Sequence, residues 1–161
     1  MKKKTLIIAA VMIVAAFAPV FGQVTDSGSI TLTGTVAALA EITVTPITGY
    51  DSLDLTTSQT DLAVATVNEK SNVTTGYTVT LDSANSGEFV GADTGNSDTL
   101  AYTISYGGSA VTLSSGSATV TTASARTSAA GVDKTLAISY TGTFLNADTY
   151  SDTITLTISA P

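Results

Sequence analysis

Oxygen-bearing side chains gather at a few places along this 161-residue chain, and each grouping implies a different chemistry. Asp93-Thr-Gly-Asn96-Ser-Asp98 puts three of them in one loop, a ligand set of the kind that takes calcium in extracellular proteins. The same residues also make an Asp/Asn/Gly turn, and no Glu stands at the last position of the EF-hand pattern. Asp51 and Asp54 would suit glycoside hydrolysis only if they faced each other across a sugar; as neighbours in a polar loop they read as solvated turn residues. Tyr50, Tyr77, Tyr102, Tyr106, Tyr140 and Tyr150 would make a sugar-stacking platform if exposed, but most stand in register with aliphatic strand neighbours, which points to packing. Asn72-Val73-Thr74 matches the glycosylation sequon.

What is missing constrains the chemistry further. The chain has no His, Cys or Trp. Without His there is no usual general base and no Ser-His-Asp triad. Without Cys there is no thiolate nucleophile, disulfide or Cys-ligated zinc. The expectation is a protein that is not an enzyme and that needs no cofactor or metal.

The elements that position these residues alternate with period two. Ile30, Leu32, Gly34 and Val36 share one face of an extended segment, with Thr31, Thr33 and Thr35 on the other. Ile42 and Val44 continue the pattern up to Pro46. Leu62, Val64 and Thr66 alternate with Ala63, Ala65 and Val67. Tyr77, Val79 and Leu81 form another set, then Tyr102, Ile104 and Tyr106, then Leu136, Ile138 and Tyr140, and finally Ile154, Leu156 and Ile158. Gly107-Gly108 between Tyr106 and the segment holding Val111 and Leu113 is a short-hairpin signal. Residues 47–61, 83–98 and 123–134 are polar and loop-like, with Phe89 and Val90 placed to pin the second. No segment after the leader carries a helical stripe. Short strands with frequent turns predict an all-β sandwich in a single domain.

Met1-Lys2-Lys3-Lys4, the apolar run from Leu6 to Phe17, and Val20-Phe21-Gly22 compose a secretory leader cleaved between Gly22 and Gln23. Its removal leaves Lys70, Arg126 and Lys134 against all 13 acidic residues, so the exported chain is strongly acidic. Nucleic acid and anionic membrane surfaces are disfavoured partners.

Three stretches carry a resemblance. They are Ser29-Ile-Thr-Leu-Thr-Gly-Thr-Val-Ala-Ala-Leu-Ala-Glu-Ile-Thr-Val44, Leu100-Ala-Tyr-Thr-Ile-Ser-Tyr-Gly-Gly108, and Leu136-Ala-Ile-Ser-Tyr140 followed by Asn146-Ala-Asp-Thr-Tyr-Ser-Asp-Thr-Ile-Thr-Leu-Thr-Ile-Ser159. In order and spacing the chain resembles major subunits of chaperone–usher fimbriae of the colonisation-factor type. It also resembles the spore coat protein U domain of archaic pili. Spore coat protein U domains usually carry cysteines and this chain has none, so the colonisation-factor subunits are the nearer match.

The resemblance implies an immunoglobulin-like sandwich, incomplete by one strand and completed by donor-strand exchange. It divides the chain into the leader (1–22), an N-terminal extension holding the candidate donor strand (23–40) and a β-sandwich pilin domain (41–161). Ile30, Leu32, Gly34 and Val36 would fill successive pockets of a neighbouring copy, with Gly34 marking where exchange begins. Implied partners are further copies of the chain, a periplasmic chaperone, an outer-membrane usher and a host or surface receptor. The implied location is a fibre on the cell surface. Alternation alone leaves a second possibility open, in which residues 29–36 form the first strand of a complete sandwich. The functional alternative is a monomeric secreted binding module, for carbohydrate or as an adhesin.

Overall fold

A computed structural model describes residues 24–161. The expected leader over residues 1–22 lies outside the described residues. Residues 24–35 contain no strand or helix, and their side chains are exposed. Val36–Pro161 form a separate compact unit that carries every strand.

That unit is all-β and antiparallel, with no helix among the described residues. One sheet has the order β1 (Ala40–Pro46), β2 (Gln59–Ser71), β8 (Val132–Tyr140), β5 (Thr99–Tyr106), β4 (Glu88–Gly91) and β9 (Tyr150–Ser151), with β6 (Ser109–Val111) beside β5. The second sheet has the order β10 (Ile154–Ser159), β3 (Tyr77–Ser83) and β7 (Ser117–Ala123). The two face each other as a sandwich, as period-two patterning without a helical stripe requires.

Local chemistry accounts for several features. The β5–β6 hairpin turns at Gly107 and Gly108, both at positive φ (57° and 80°), as the two-residue turn demands. β1 ends at Pro46, which has no N–H to give a ladder and sits on an edge strand. β2 is bulged near Asp61, whose φ is 49° and whose N–H is taken by Ser139 Oγ at 2.8 Å. Beyond the bulges the inner face of β2 falls on Ala65, Val67, Glu69 and Ser71, all buried.

The core runs through both sheets. Val67, Leu81, Phe89, Leu100, Ile104, Leu136 and Ile138 are buried in it, with Tyr102, Tyr106 and Tyr140. Phe89 packs on Tyr102 with ring centroids 4.7 Å apart, and edge-on to Tyr140 at 6.0 Å. The expectation that most tyrosines pack inward holds at Tyr77, Tyr102, Tyr106 and Tyr140.

The loop reading of residues 83–98 needs correction, because Glu88–Gly91 is a strand: Phe89 is buried and its backbone pairs with Leu100. β8 likewise begins at Val132, inside the expected 123–134 loop, and β2 at Gln59, inside the expected 47–61 loop. Strand β7 has no clean apolar alternation and forms through its partner β3.

Candidate functional site

The two sheets are not equally closed along their length. On β3, Leu81 and Val79 are fully buried, while their directly opposite partners on β10, Leu156 and Ile158, are only partly buried. Residues facing each other across an antiparallel pair share one face of the sheet. The inner face is therefore fully covered over β3 and only partly covered over β10, where Ile154 and Leu156 still pack against the core. The other sheet repeats the pattern: Val67 on β2 is fully buried, whereas its partner Val44 on β1 is 45% exposed.

β1 and β10 are edge strands of their sheets. Between them opens an apolar trough of about 370 Å³, with Val44 and Pro46 on one lip and Ile154 on the other. Val64, Ala65, Leu136, Ile138 and Phe89 line it further in. The outer edge of β10 has no ladder partner among the described residues.

Two polar clusters tie the sheets together. Asp152, just before β10, accepts from Ser83 Oγ (2.5 Å) on β3 and Tyr102 OH (2.6 Å) on β5, tying the two sheets. Burial, the Asp152 hydrogen bond and its charge push the Tyr102 phenol well up. At the other end, fully buried Glu69 accepts from Tyr77 OH (3.0 Å), Tyr106 OH (2.6 Å) and Thr121 Oγ1 (2.7 Å), again joining both sheets. Burial first and Glu69 second push Tyr77 up to about 12 and Tyr106 higher still. Neither clamp was foreseen, although Glu69 breaks the apolar alternation of β2 at an inner position.

The expected donor residues lie outside any strand. Ile30, Leu32 and Val36 are 84%, 87% and 89% exposed, and Gly34 has open space around it. Asn72, of the sequon, fastens the backbone just after them: its Oδ1 accepts from Leu39 N (2.7 Å) and its Nδ2 donates to Ala37 O (2.8 Å).

The Asp93–Asp98 segment forms a turn. Asp93 Oδ1 caps Gly95 N, Asn96 Oδ1 accepts from Asp98 N, and Asp98 Oδ2 accepts from Asn146 N. Among the described residues no group of three or more His, Cys, Asp or Glu stands close enough to hold a metal ion. Asp54 is likewise a turn residue: Thr56 and Thr57 donate to it and hold its carboxyl below the usual range.

A second concavity, of about 730 Å³, lies between the loops 47–58 and 141–149 and takes in Asp51, Asp54, Phe144 and Tyr150. Phe144 is 100% exposed and Tyr50 51%. Tyr50 stood out in the sequence; Phe144, an aromatic inside a Thr/Gly/Asn segment, is the signal that was there to find.

No protein-family model matches this chain, and a comparison with curated proteins gives no match.

Proposed function

We propose that this chain is a non-catalytic structural subunit of a bacterial surface fibre, exported through the periplasm and assembled by donor-strand complementation in the service of adhesion or biofilm formation. The observation that carries the reading is the thinner cover on the inner face of β10, beside the β1–β10 trough, where Leu156 and Ile158 are only partly buried while Leu81 and Val79 are fully so. Residues 29–36 of a second copy have the matching pattern, with Ile30, Leu32, Gly34 and Val36 on one face. A donated strand beside β10 would bury both sets of apolar side chains, at about 25 cal/mol per Å² removed from water.

Strand order supports the immunoglobulin-like assignment. The path β1-β2-β8-β5 corresponds to A-B-E-D, and β3 with β10 to C with F. On this correspondence G is the strand absent beside β10. β7 departs from the scheme, since it pairs with β3 yet follows β5 in the chain. A subunit of this kind needs a periplasmic chaperone to cover the trough before assembly, because an open edge over apolar residues aggregates. It also needs an outer-membrane usher.

The test is the full-length chain carrying Leu32→Asp, expressed beside wild type. The account expects an unheated denaturing gel of the surface fraction to show a ladder for wild type and none for the variant. The unassembled variant should melt where unassembled wild type does, because the change lies outside its own sandwich, and both should melt below the wild-type fibre, whose troughs are filled. A ladder that survives Leu32→Asp would refute the proposal, as would a variant less stable than unassembled wild type.

A further inference from the structure

We propose that the cavity between loops 47–58 and 141–149 is a carbohydrate-binding site for sugars without negative charge, either neutral or amino-substituted. The cavity adjoins the β1–β10 trough and shares Tyr50, Leu53, Phe89 and Asp152 with it, whereas Phe144 belongs to the cavity and does not line the trough.

Its first support is the rim. Phe144 is fully exposed and Tyr50 half-exposed, both bordering the same concavity. Neither side chain is accounted for by the core, and aromatic faces at a wet, concave site are what sugar rings stack on.

The second support is rigidity. The loop holding Phe144 is anchored on both sides. Before it, Gly142 N donates to Ser58 Oγ (2.9 Å) and Thr143 N to Leu55 O (3.2 Å). Gly142 lies so close to the Thr56 carbonyl that no side chain fits there. After it, Asn146 N donates to Asp98 Oδ2 (2.9 Å), and Asp148 Oδ2 accepts from Asn96 Nδ2 (2.8 Å) and Asp93 N (2.9 Å). The backbone that presents Phe144 is thus fixed on both sides, which lowers the part of the ordering cost of binding that the loop would pay. Loops on a rigid scaffold are where binding residues concentrate.

The third support is electrostatic. Four aspartates and no lysine or arginine are among the described residues lining the cavity. Phosphate, sulfate and sialic acid would meet a field of the wrong sign. Sugar hydroxyls suit carboxylate acceptors, and an ammonium-bearing sugar suits them better. The volume, about 730 Å³, is in the range of small-ligand sites and has room for more than one ring.

The experiment applies the full-length exported chain, wild type and with Phe144→Ala or Tyr50→Ala, to an array of neutral, amino and anionic glycans. Titration calorimetry follows with the strongest hit, and with a heparin hexasaccharide as the anionic probe. The expected result is binding of at least one neutral or amino glycan and none of heparin. Each variant should weaken that binding roughly tenfold, as loss of an aromatic anchor does. Phe144→Ala should leave the melting temperature unchanged, since its side chain is fully exposed. No neutral or amino hit, preference for heparin, or binding undiminished in both variants would overturn the proposal. Any of these outcomes leaves the trough beside β10, and the fibre reading, untouched.

Discussion

Tyr106 on β5 donates its phenolic proton to Glu69 Oε1 on β2 at 2.6 Å, and Glu69 is fully buried. Among the described residues no cation is paired with Glu69, whose hydrogen-bond partners are Tyr106, Tyr77 and Thr121. Three donors from three strands satisfy one carboxylate, which is what a buried charge without an ion-pair partner needs. Removing the acceptor should therefore be costly. Glu69→Ala leaves three buried hydroxyls without it and is expected to lose about 3 kcal/mol or more. Glu69→Gln, which keeps the shape and one acceptor oxygen, should lose less. Thermal melts of the two variants against wild type would check the order; equal melting temperatures for all three would refute the clamp.

The same phenols set an alkaline limit. Burial, with Glu69, raises Tyr77 to about 12, and burial also raises Tyr102, Tyr106 and Tyr140. The unfolded chain releases these protons near pH 10. The native state thus binds more protons above that point, and stability falls as pH rises. The stabilisation should be complete below about pH 10 and decline from there toward 12 and beyond. Phenolate absorbance and melting temperature, followed together, test this: these four tyrosines should ionise only with unfolding. Ionisation of all tyrosines near pH 10 in a still-folded protein would contradict it.

Two leucines opposite each other on the same sheet should behave differently. Leu81 is fully buried and Leu156 is not. Leu81→Ala is expected to cost about 2–5 kcal/mol in the isolated chain. Leu156→Ala should cost distinctly less there, because part of its surface already meets water, yet it should weaken the fibre. Thr157→Ser, on the exposed face and opposite Thr80, should stay within about 0.5 kcal/mol of wild type. Melting curves of the purified chain beside dissociation temperatures of the fibre separate the two effects. Equal losses at Leu81 and Leu156 in the isolated chain would mean that β10 is already covered.

Gly142→Ala tests the loop anchor. A Cβ there would collide with the Thr56 carbonyl, so the loop 141–149 must shift. Glycan binding at the cavity should drop, and because Leu145 of the same loop packs against the core, a loss of melting temperature should accompany it. Unchanged binding would show that the loop's position is irrelevant to the site.

Strands with clean alternation were legible in the sequence: Tyr77–Leu81, Tyr102–Tyr106, Leu136–Tyr140 and Ile154–Ile158 all lie in strands whose apolar side chains point inward. The Gly107-Gly108 turn was legible because only positive φ closes so short a hairpin. β4 and β7 were not. Phe89 sits among Ser, Gly and Asp, and its strand is set by pairing with Leu100 rather than by its own pattern. The inner face of β2 was hidden by its bulges, which shift the register between Leu62 and Ala65. The clamps at Glu69 and Asp152 depend on side chains far apart in the chain, which one sequence read alone does not bring together. The trough is harder still, since it lies between two edge strands that the sequence does not place together. Only the contrast between Leu81 and Leu156, or between Val67 and Val44, reveals it.

The central claim, that residues 29–36 of one copy lie beside β10 of another, is most directly tested by cross-linking, which the absence of native cysteine makes clean. Leu32→Cys is combined, in the full-length chain, with a cysteine in turn at Ile154, Leu156 or Ile158. Assembled surface material is oxidised, boiled and run on a non-reducing gel. Same-face neighbours on paired strands come within disulfide reach, whereas opposite faces do not. The account predicts a covalent ladder of dimers and higher multimers for at least one of these inward positions. It predicts none for Leu32→Cys with Thr157→Cys, on the outward face. Monomers alone, a disulfide closed within one chain, or a ladder equally strong with Thr157→Cys would contradict it.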